Sequence, residues 1–471
     1  MELTNNFYDN TTAFENALGY GKSFDKVCRT LTINSRQVKL YFINGMTNNE
    51  ISTKIVGDLT TSDETAPQFF IDAQSFADRF IPFAENSITA DICEGVTEVL
   101  SGQIAIIVEG LNQIIISDIR SYPTRDGQEP ENNRVLIGPH EGFNESLINN
   151  TALLRRRLRD PSLTISLMRL GRKSRLDIAV CSLDGRVDQN TLSVVTEKLK
   201  QIDVDTLCMS PESILECLVK GQHYNPFPKV RYTERPDSAA ASIAEGSIII
   251  ISDNSPAAMI IPTSFFDFLQ DTNDFYFPPL LGSFLRLVRL FVFSATLFLT
   301  PVWYLLIINP EIIPPWLSFI KIEESVGVPV IAQLILIELV IDTLKLASLN
   351  TPSSLSNSFS VISALVLGEF AVQAKWMTSE VVLYMAFVAI ANFTQPSFEL
   401  GHAYKMCRVF VLIMTALFNY IGFAVGFILV FVLIATTKTV SGRSYLYPLF
   451  PLNVKALKRL IIREPINRQN N

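Results

Sequence analysis

The chain has 471 residues, 48% of them hydrophobic, with a mean hydropathy of +0.27 and a formal net charge of −7. That length allows two or three domains, and the acidic balance argues against a general nucleic-acid binder, which carries a basic face or stripe. Six cysteines with no CxxC pair and three histidines offer no metal-ligand spacing, so the thiols read as reduced and no metal or cofactor is expected.

Residues 1–80 form a polar, Asn- and Thr-rich leader and small subdomain; within it Val38, Leu40, Phe42 and Ile43 before Asn44-Gly45 predict one short strand and turn. The first ten residues are polar and acidic and show no basic stretch followed by an apolar core, so the soluble part is expected to stay in the cytoplasm.

Residues 81–270 alternate between strand and helix patterns, which predicts a cytoplasmic α/β (mixed α+β) domain. Runs 103–108 and 113–116 read as a hairpin, 176–181 as a strand, 191–201 as a helix, and 247–251 with 257–261 as two strands bracketing a turn. GxGxxG, GxxxxGK[ST] and GxSxG are all absent, so neither nucleotide binding nor serine hydrolysis has motif support, and the chain reads as a non-enzyme.

The densest local signal is Ser121 to Pro130, then Gly138, Pro139, Gly142, Phe143 and Glu145, then Asn150-Thr151 ahead of Arg155, Arg156, Arg157 and Arg159. Pro and Gly fix a turn-rich segment, and the Asn-Thr pair is expected to cap the helix that carries the arginines. Those arginines pair with Glu129, Glu131 or Glu145 or stay solvated, or else contact lipid phosphates or a neighbouring subunit.

Residues 271–289 are a linker, and 290–437 read as an α-helical polytopic membrane domain. A span needs ~20 apolar residues. The uncharged runs 290–308 (19 residues) and 409–435 (27 residues) meet that length, and Arg286 and Arg289 before the first suit a cytoplasmic start. Run 328–349 is a third candidate that carries Glu338, Asp342 and Lys345 at i, i+4 and i+7, on one helical stripe. Charges at membrane depth cost ~2.5–3.5 kcal/mol each and mark either an aqueous path or structural pairing; Asp342 can reach Lys345 at i+3. Runs 359–374 and 381–393 are short, and Glu369 lies within the first of them. With the soluble domain and the tail 438–471 both cytoplasmic (seven basic residues against one acid), five apolar runs require one that does not cross. Run 359–374 is the expected re-entrant or broken helix, which leaves Lys405 and Arg408 outside.

The block Ser121-Tyr122-Pro123, Arg125, Glu129-Pro130, Gly138, Gly142-Phe143, Glu145 and Arg155-Arg156-Arg157 resembles the hallmark of the A subunits of bacterial spore-germination receptors, over about residues 80–465. Further along, Gly368-Glu369, Ser379-Glu380-Val381, Pro396 to Leu400 and Tyr447 to Pro451 look most like the sporulation branch of that family. Nutrient receptors tend to show Leu-Arg-Glu-Ala where this chain has Leu344-Lys345-Leu346-Ala347. The resemblance implies a multi-pass protein of the inner membrane of the endospore, a homo-oligomeric, pentameric channel releasing monovalent cations, with a second integral membrane germination protein as partner and membrane lipid around it. Glu338, Asp342, Lys345 and Glu369 are then the candidate ion pathway. Tyr122, Pro123, Arg125, Glu129, Pro130, Arg155, Arg156 and Arg157 are the candidate family-motif interface. The alternative is a receptor or scaffold subunit with no conductance of its own. A secondary transporter would call for inverted repeats, and none is visible.

Overall fold

Alternate residues of a strand point to opposite faces, so a strand that is apolar throughout needs cover on both sides. The run 104–108 is such a strand: Ile104, Ile106 and Val108 pack into one core, and Ala105 and Ile107 into another. The computed structural model describes residues 3–33, 35–61, 72–82, 84–123, 135–219, 224–323, 326–350 and 369–463. Two compact units emerge, Met1–Gly221 with Val230–Pro262, and Gln222–Lys229 with Thr263–Asn471.

In the first unit, α1 (Phe7–Leu18), β1 (Lys26–Ile33), β2 (Arg36–Ile43), α2 (Asn49–Thr61), α3 (Ala73–Phe80), β3 (Glu85–Thr89), α4 (Ile92–Leu100), β4 (Ile104–Val108) and β5 (Ile114–Asp118) build a five-stranded sheet ordered β1-β2-β4-β5-β3. Each neighbouring pair is antiparallel. Phe14 and Leu18 of α1 and Val96 and Val99 of α4 cover one face; Ile55 and Leu59 of α2 and Phe76 and Phe80 of α3 cover the other. The boundary expected at residue 80 therefore falls between β2 and β3 of a single sheet.

A second antiparallel sheet, ordered β6-β7-β9-β10-β8, follows α5 (Leu147–Arg157). Its elements are β6 (Leu163–Leu170), β7 (Leu176–Leu183), α6 (Gln189–Lys200), α7 (Pro211–Leu218), β8 (Arg231–Thr233), α8 (Pro236–Ala244), β9 (Ile248–Ser252) and β10 (Ala258–Ile261). Leu153 and Leu154 of α5 and Ala239 and Ile243 of α8 share a core with Ile165, Cys181, Ile249 and Ile260. The expected pairing of 103–108 with 113–116 is present as Ile106↔Ile115, and that of 247–251 with 257–261 as Ile250↔Met259. The arginine helix starts earlier than expected: Ser146 caps it by accepting from the Asn149 N–H, and Asn150 and Thr151 lie inside α5, fully buried.

The second unit is helical: α9 (Asn273–Tyr276), α10 (Pro279–Ile308), α11 (Val330–Asn350), α12 (Ala371–Gln373), α13 (Ser379–Phe393), α14 (Phe398–Thr436) and α15 (Val454–Ile461). α10 and α14 have the length and hydropathy to cross a membrane. The single span expected at 409–435 is corrected here: Asn419 has φ 52° and ψ −130°, and the chain folds back on itself. A Cβ at Gly426 would lie 3.4 Å from the Val411 Cα, and one at Gly422 would strike the Met414 carbonyl. In a straight helix Val411 and Gly426 would stand about 22 Å apart. Leu400, Tyr404, Cys407 and Val411 of the first limb accordingly pack with Val430 and Ile434 of the second. Asn419 and Asn309, at the end of α10, exchange two side-chain amide hydrogen bonds of 2.8 and 3.0 Å. Gly422 and Gly426 sit one turn apart, the spacing that lets helix backbones approach closely. We expect Val411→Cys with Gly426→Cys, in a Cys407→Ser background, to form a disulfide under mild oxidation, read by mobility on a denaturing gel after cleavage between the limbs. A continuous helix would leave the pair uncrosslinked.

Candidate functional site

Glu338 and Asp342 lie one turn apart on α11, and Lys405 and Arg408 lie three residues apart on the first limb of α14, so each pair shares a helical face. The two faces meet. Arg408 Nη2 donates to Glu338 Oε1 at 2.5 Å, and its Nη1 donates to the Thr296 carbonyl of α10 at 2.9 Å. Lys405 pairs with Asp342 and stands 3.7 Å from Glu338 Oε1. Arg408 is 1% exposed and Glu338 8%, whereas the Asp342 side chain is 33% exposed.

Two acids and two bases make the cluster electrically neutral. Burying a lone charge in apolar surroundings is costly, and pairing plus hydrogen bonding offsets that cost. One guanidinium thereby fastens α10, α11 and α14 together. Among the described residues its buried Nε has no hydrogen-bond partner, nor has the buried Thr300 Oγ1 on α10.

Of the four candidate pathway residues, the structure brings Glu338 and Asp342 together and separates the other two from them. Lys345, expected to answer Asp342, instead holds its ammonium 5.3 Å from the centre of the Phe393 ring. Glu369 accepts a 3.0 Å hydrogen bond from Gln373 and is exposed. Most of run 359–374 lies outside the described residues. Lys375 to Thr378 lead into α13, with Thr378 as its N-cap and Glu380 in its first turn. Lys405 and Arg408, expected outside, are the partners of the acids, and sequence reasoning missed them because run 409–435 was read as one span. The available signal was their i, i+3 spacing, which complements the i, i+4 spacing of Glu338 and Asp342.

α11 and α13 run in the same direction. The Thr378 N–H donates to Gln333 Oε1 at 2.9 Å near both starts, while Lys345 meets Phe393 near both ends. Trp303 of α10 donates its Nε1–H to the Ile320 carbonyl at 3.1 Å and packs 4.6 Å from the Tyr384 ring.

The arginine block of the first unit resolves into separate roles. Arg155 is fully buried and grips Asp25 through Nε (2.8 Å) and Nη2 (3.2 Å), while donating to the carbonyls of Asp160 and Leu163, both at 2.9 Å. Ser23 donates to the same Asp25 carboxylate and accepts from the Ile165 N–H at 2.9 Å, so the start of β1 is tied to β6 of the second sheet. Lys26 donates to the Pro161 carbonyl at 2.7 Å, and burial, with Arg155 beside it, lowers its ammonium to about 8. Arg156 and Arg157 both reach Glu141, at 3.3 and 2.8 Å, and Arg156 lies 4.2 Å over the Tyr122 ring, whose hydroxyl donates to the Ser101 carbonyl at 2.6 Å. The partner acids are thus Asp25 and Glu141 rather than Glu145. Pro123 is described as irregular chain, and Arg125, Glu129, Pro130 and Glu131 lie outside the described residues. Among the described residues no group of His, Cys, Asp and Glu is arranged to hold a metal ion.

Comparison with known proteins bears on this architecture. The model of the Bacillus/Clostridium GerA spore germination protein family matches residues 13–471. Stage V sporulation protein AF of Bacillus subtilis (strain 168) is 36% identical over 462 residues, covering 96% of this chain and 92% of that protein. Spore germination protein KA of the same organism is 27% identical, covering 94% and 82% respectively. Among solved structures, the N-terminal domain of the A subunit of the Bacillus megaterium spore germinant receptor GerK3 aligns with a TM-score of 0.43 and 23% identity, covering 56% of this chain and 98% of that one.

Proposed function

Because the chain belongs to the Bacillus/Clostridium GerA spore germination protein family, we propose that it is a multi-pass membrane subunit of a spore-germination assembly, releasing monovalent cations through a homo-oligomer beside a second integral membrane germination protein. The observation that carries this reading is the division of labour within the charge cluster. Glu338 is committed to Arg408, whereas the carboxylate of Asp342 keeps an exposed side on α11. A partly exposed acid on a mostly apolar helix can exchange its lysine partner for a passing cation while repelling anions, and one per subunit around an axis makes a ring. Glu338 and Arg408 then lock the helices, while Asp342 faces the path, with Glu369 as its second acid.

The helical hairpin of α14 also bears on the topology: with its two limbs counted separately, the five apolar runs of the sequence become six, an even number that suits a first unit and a basic tail on the same, cytoplasmic side.

Rubidium efflux from vesicles containing the full chain tests the proposal. We expect efflux above that of protein-free vesicles, lowered several-fold by Asp342→Asn with the oligomer intact. The competing reading, a receptor or scaffold subunit without conductance, draws on the neutrality of the cluster and requires efflux at the level of empty vesicles under every trigger tried.

A further inference from the structure

We propose that α15 and the loop before it form an interfacial anchor that binds anionic phospholipid headgroups in the leaflet where α10 begins. The inference rests on the membrane reading of α10 above. α15 is short but sharply two-sided: Val454, Leu457, Leu460 and Ile461 fall on one arc, and Lys455 and Lys458 on another. Apolar residues on one side and lysines on the other define a helix that lies in the plane of a membrane surface rather than crossing it.

Two further observations fix its depth. The Arg463 N–H donates to Ser283 Oγ at 3.0 Å, and Arg286 Nη1 donates to the Leu460 carbonyl at 3.3 Å, so α15 is tied to the first turns of α10. Ser283 and Arg286 precede the uncharged run at 290 by four to seven residues, about 6–10 Å along the helix, which is the depth of headgroups below the hydrocarbon. The approach to α15 is exposed and apolar: Phe450 is 72% exposed, Leu452 65% and Val454 67%.

Charge complementarity selects the occupant. The two cations at the base of α10 are already matched by two acids, since Arg289 pairs with Asp274 at 2.8 Å and with Asp271 at 3.8 Å, and Arg286 with Asp274 at 3.3 Å. Lys455 and Lys458 are exposed and form no ion pair among the described residues. Their ammonium groups, beside side chains that enter the acyl boundary, match a negatively charged headgroup over a zwitterionic one, each lysine near such a surface favouring it about five-fold.

The test uses the full chain in vesicles, with Trp303, Trp316 and Trp376 changed to Phe and one tryptophan reporter introduced at a time: Phe450→Trp, or Phe298→Trp on α10, where the side chain is 47% exposed within the uncharged run. Brominated phosphatidylglycerol or brominated phosphatidylcholine is added as a minor component at equal mole fraction. We expect the reporter at position 450 to be quenched more by brominated phosphatidylglycerol, and Lys455→Gln with Lys458→Gln to erase that preference while quenching at position 298 is unchanged. Equal quenching of the 450 reporter by both lipids, insensitive to the lysine substitutions, would overturn the anchor while leaving the membrane reading intact. Absence of quenching at position 298 would overturn the membrane reading and the anchor with it.

Discussion

Arg408→Met in the full chain is expected to cost about 3–5 kcal/mol, the scale on which removing one partner of a buried ion pair destabilises a protein. The substitution strands Glu338, whose carboxylate is 8% exposed and would be left with Lys405 at 3.7 Å as its nearest cation. It also frees the Thr296 carbonyl and so loosens α10 from α14. Adding Glu338→Gln removes the stranded charge and should recover more than half of the loss, because a neutral amide is far cheaper to bury than a carboxylate. Thermal unfolding of the detergent-solubilised single and double variants closes the cycle. A loss of under about 1 kcal/mol for Arg408→Met would mean the pair is solvated rather than buried.

In the first unit the corresponding prediction concerns Arg155. Its guanidinium satisfies a carboxylate and two carbonyls from three separate segments, all out of water. Arg155→Met should therefore cost about 3–5 kcal/mol, again by stranding a buried acid, here Asp25. Arg156→Ala and Arg157→Ala break pairs with a partly exposed Glu141 and should cost about 1 kcal/mol or less each. Hydrogen exchange on the full chain separates the cases: only Arg155→Met should accelerate exchange at Phe24 and Ile165, whose backbone groups pair across the two sheets at 3.1 Å. Equal effects for all three arginines would contradict the division of roles.

Much of the first unit was legible because runs such as 104–108 and 248–251 are apolar throughout and turns punctuate them. β1 and β3 were not, since Lys26–Ile33 and Glu85–Thr89 are polar edge strands whose existence depends on a neighbour, not on their own pattern. Residue 80 lies between β2 and β3 of one sheet, in which β2 pairs with β4 across a long stretch of chain that no local pattern announces. In the helical unit, the acids of α11 announced themselves by composition, but their partners did not. Asn419 is the one carboxamide in a long, mostly apolar run, and only its positive φ reveals a turn that places Lys405 and Arg408 at the depth of Glu338. Lys345 shows the limit of local pairing rules: Asp342 is within i, i+3 reach, yet a residue from another helix takes its place.

Charges that hold helices together differ from a charge that an ion meets. Rubidium efflux from vesicles, compared between the Glu338→Gln with Arg408→Met double variant and Asp342→Asn, tests it most directly. We predict that the double variant, once shown to be folded and oligomeric, retains efflux close to that of the parent chain, while Asp342→Asn loses most of it. Loss of efflux in the folded double variant with full efflux in Asp342→Asn would contradict the assignment and return the pathway to Glu338.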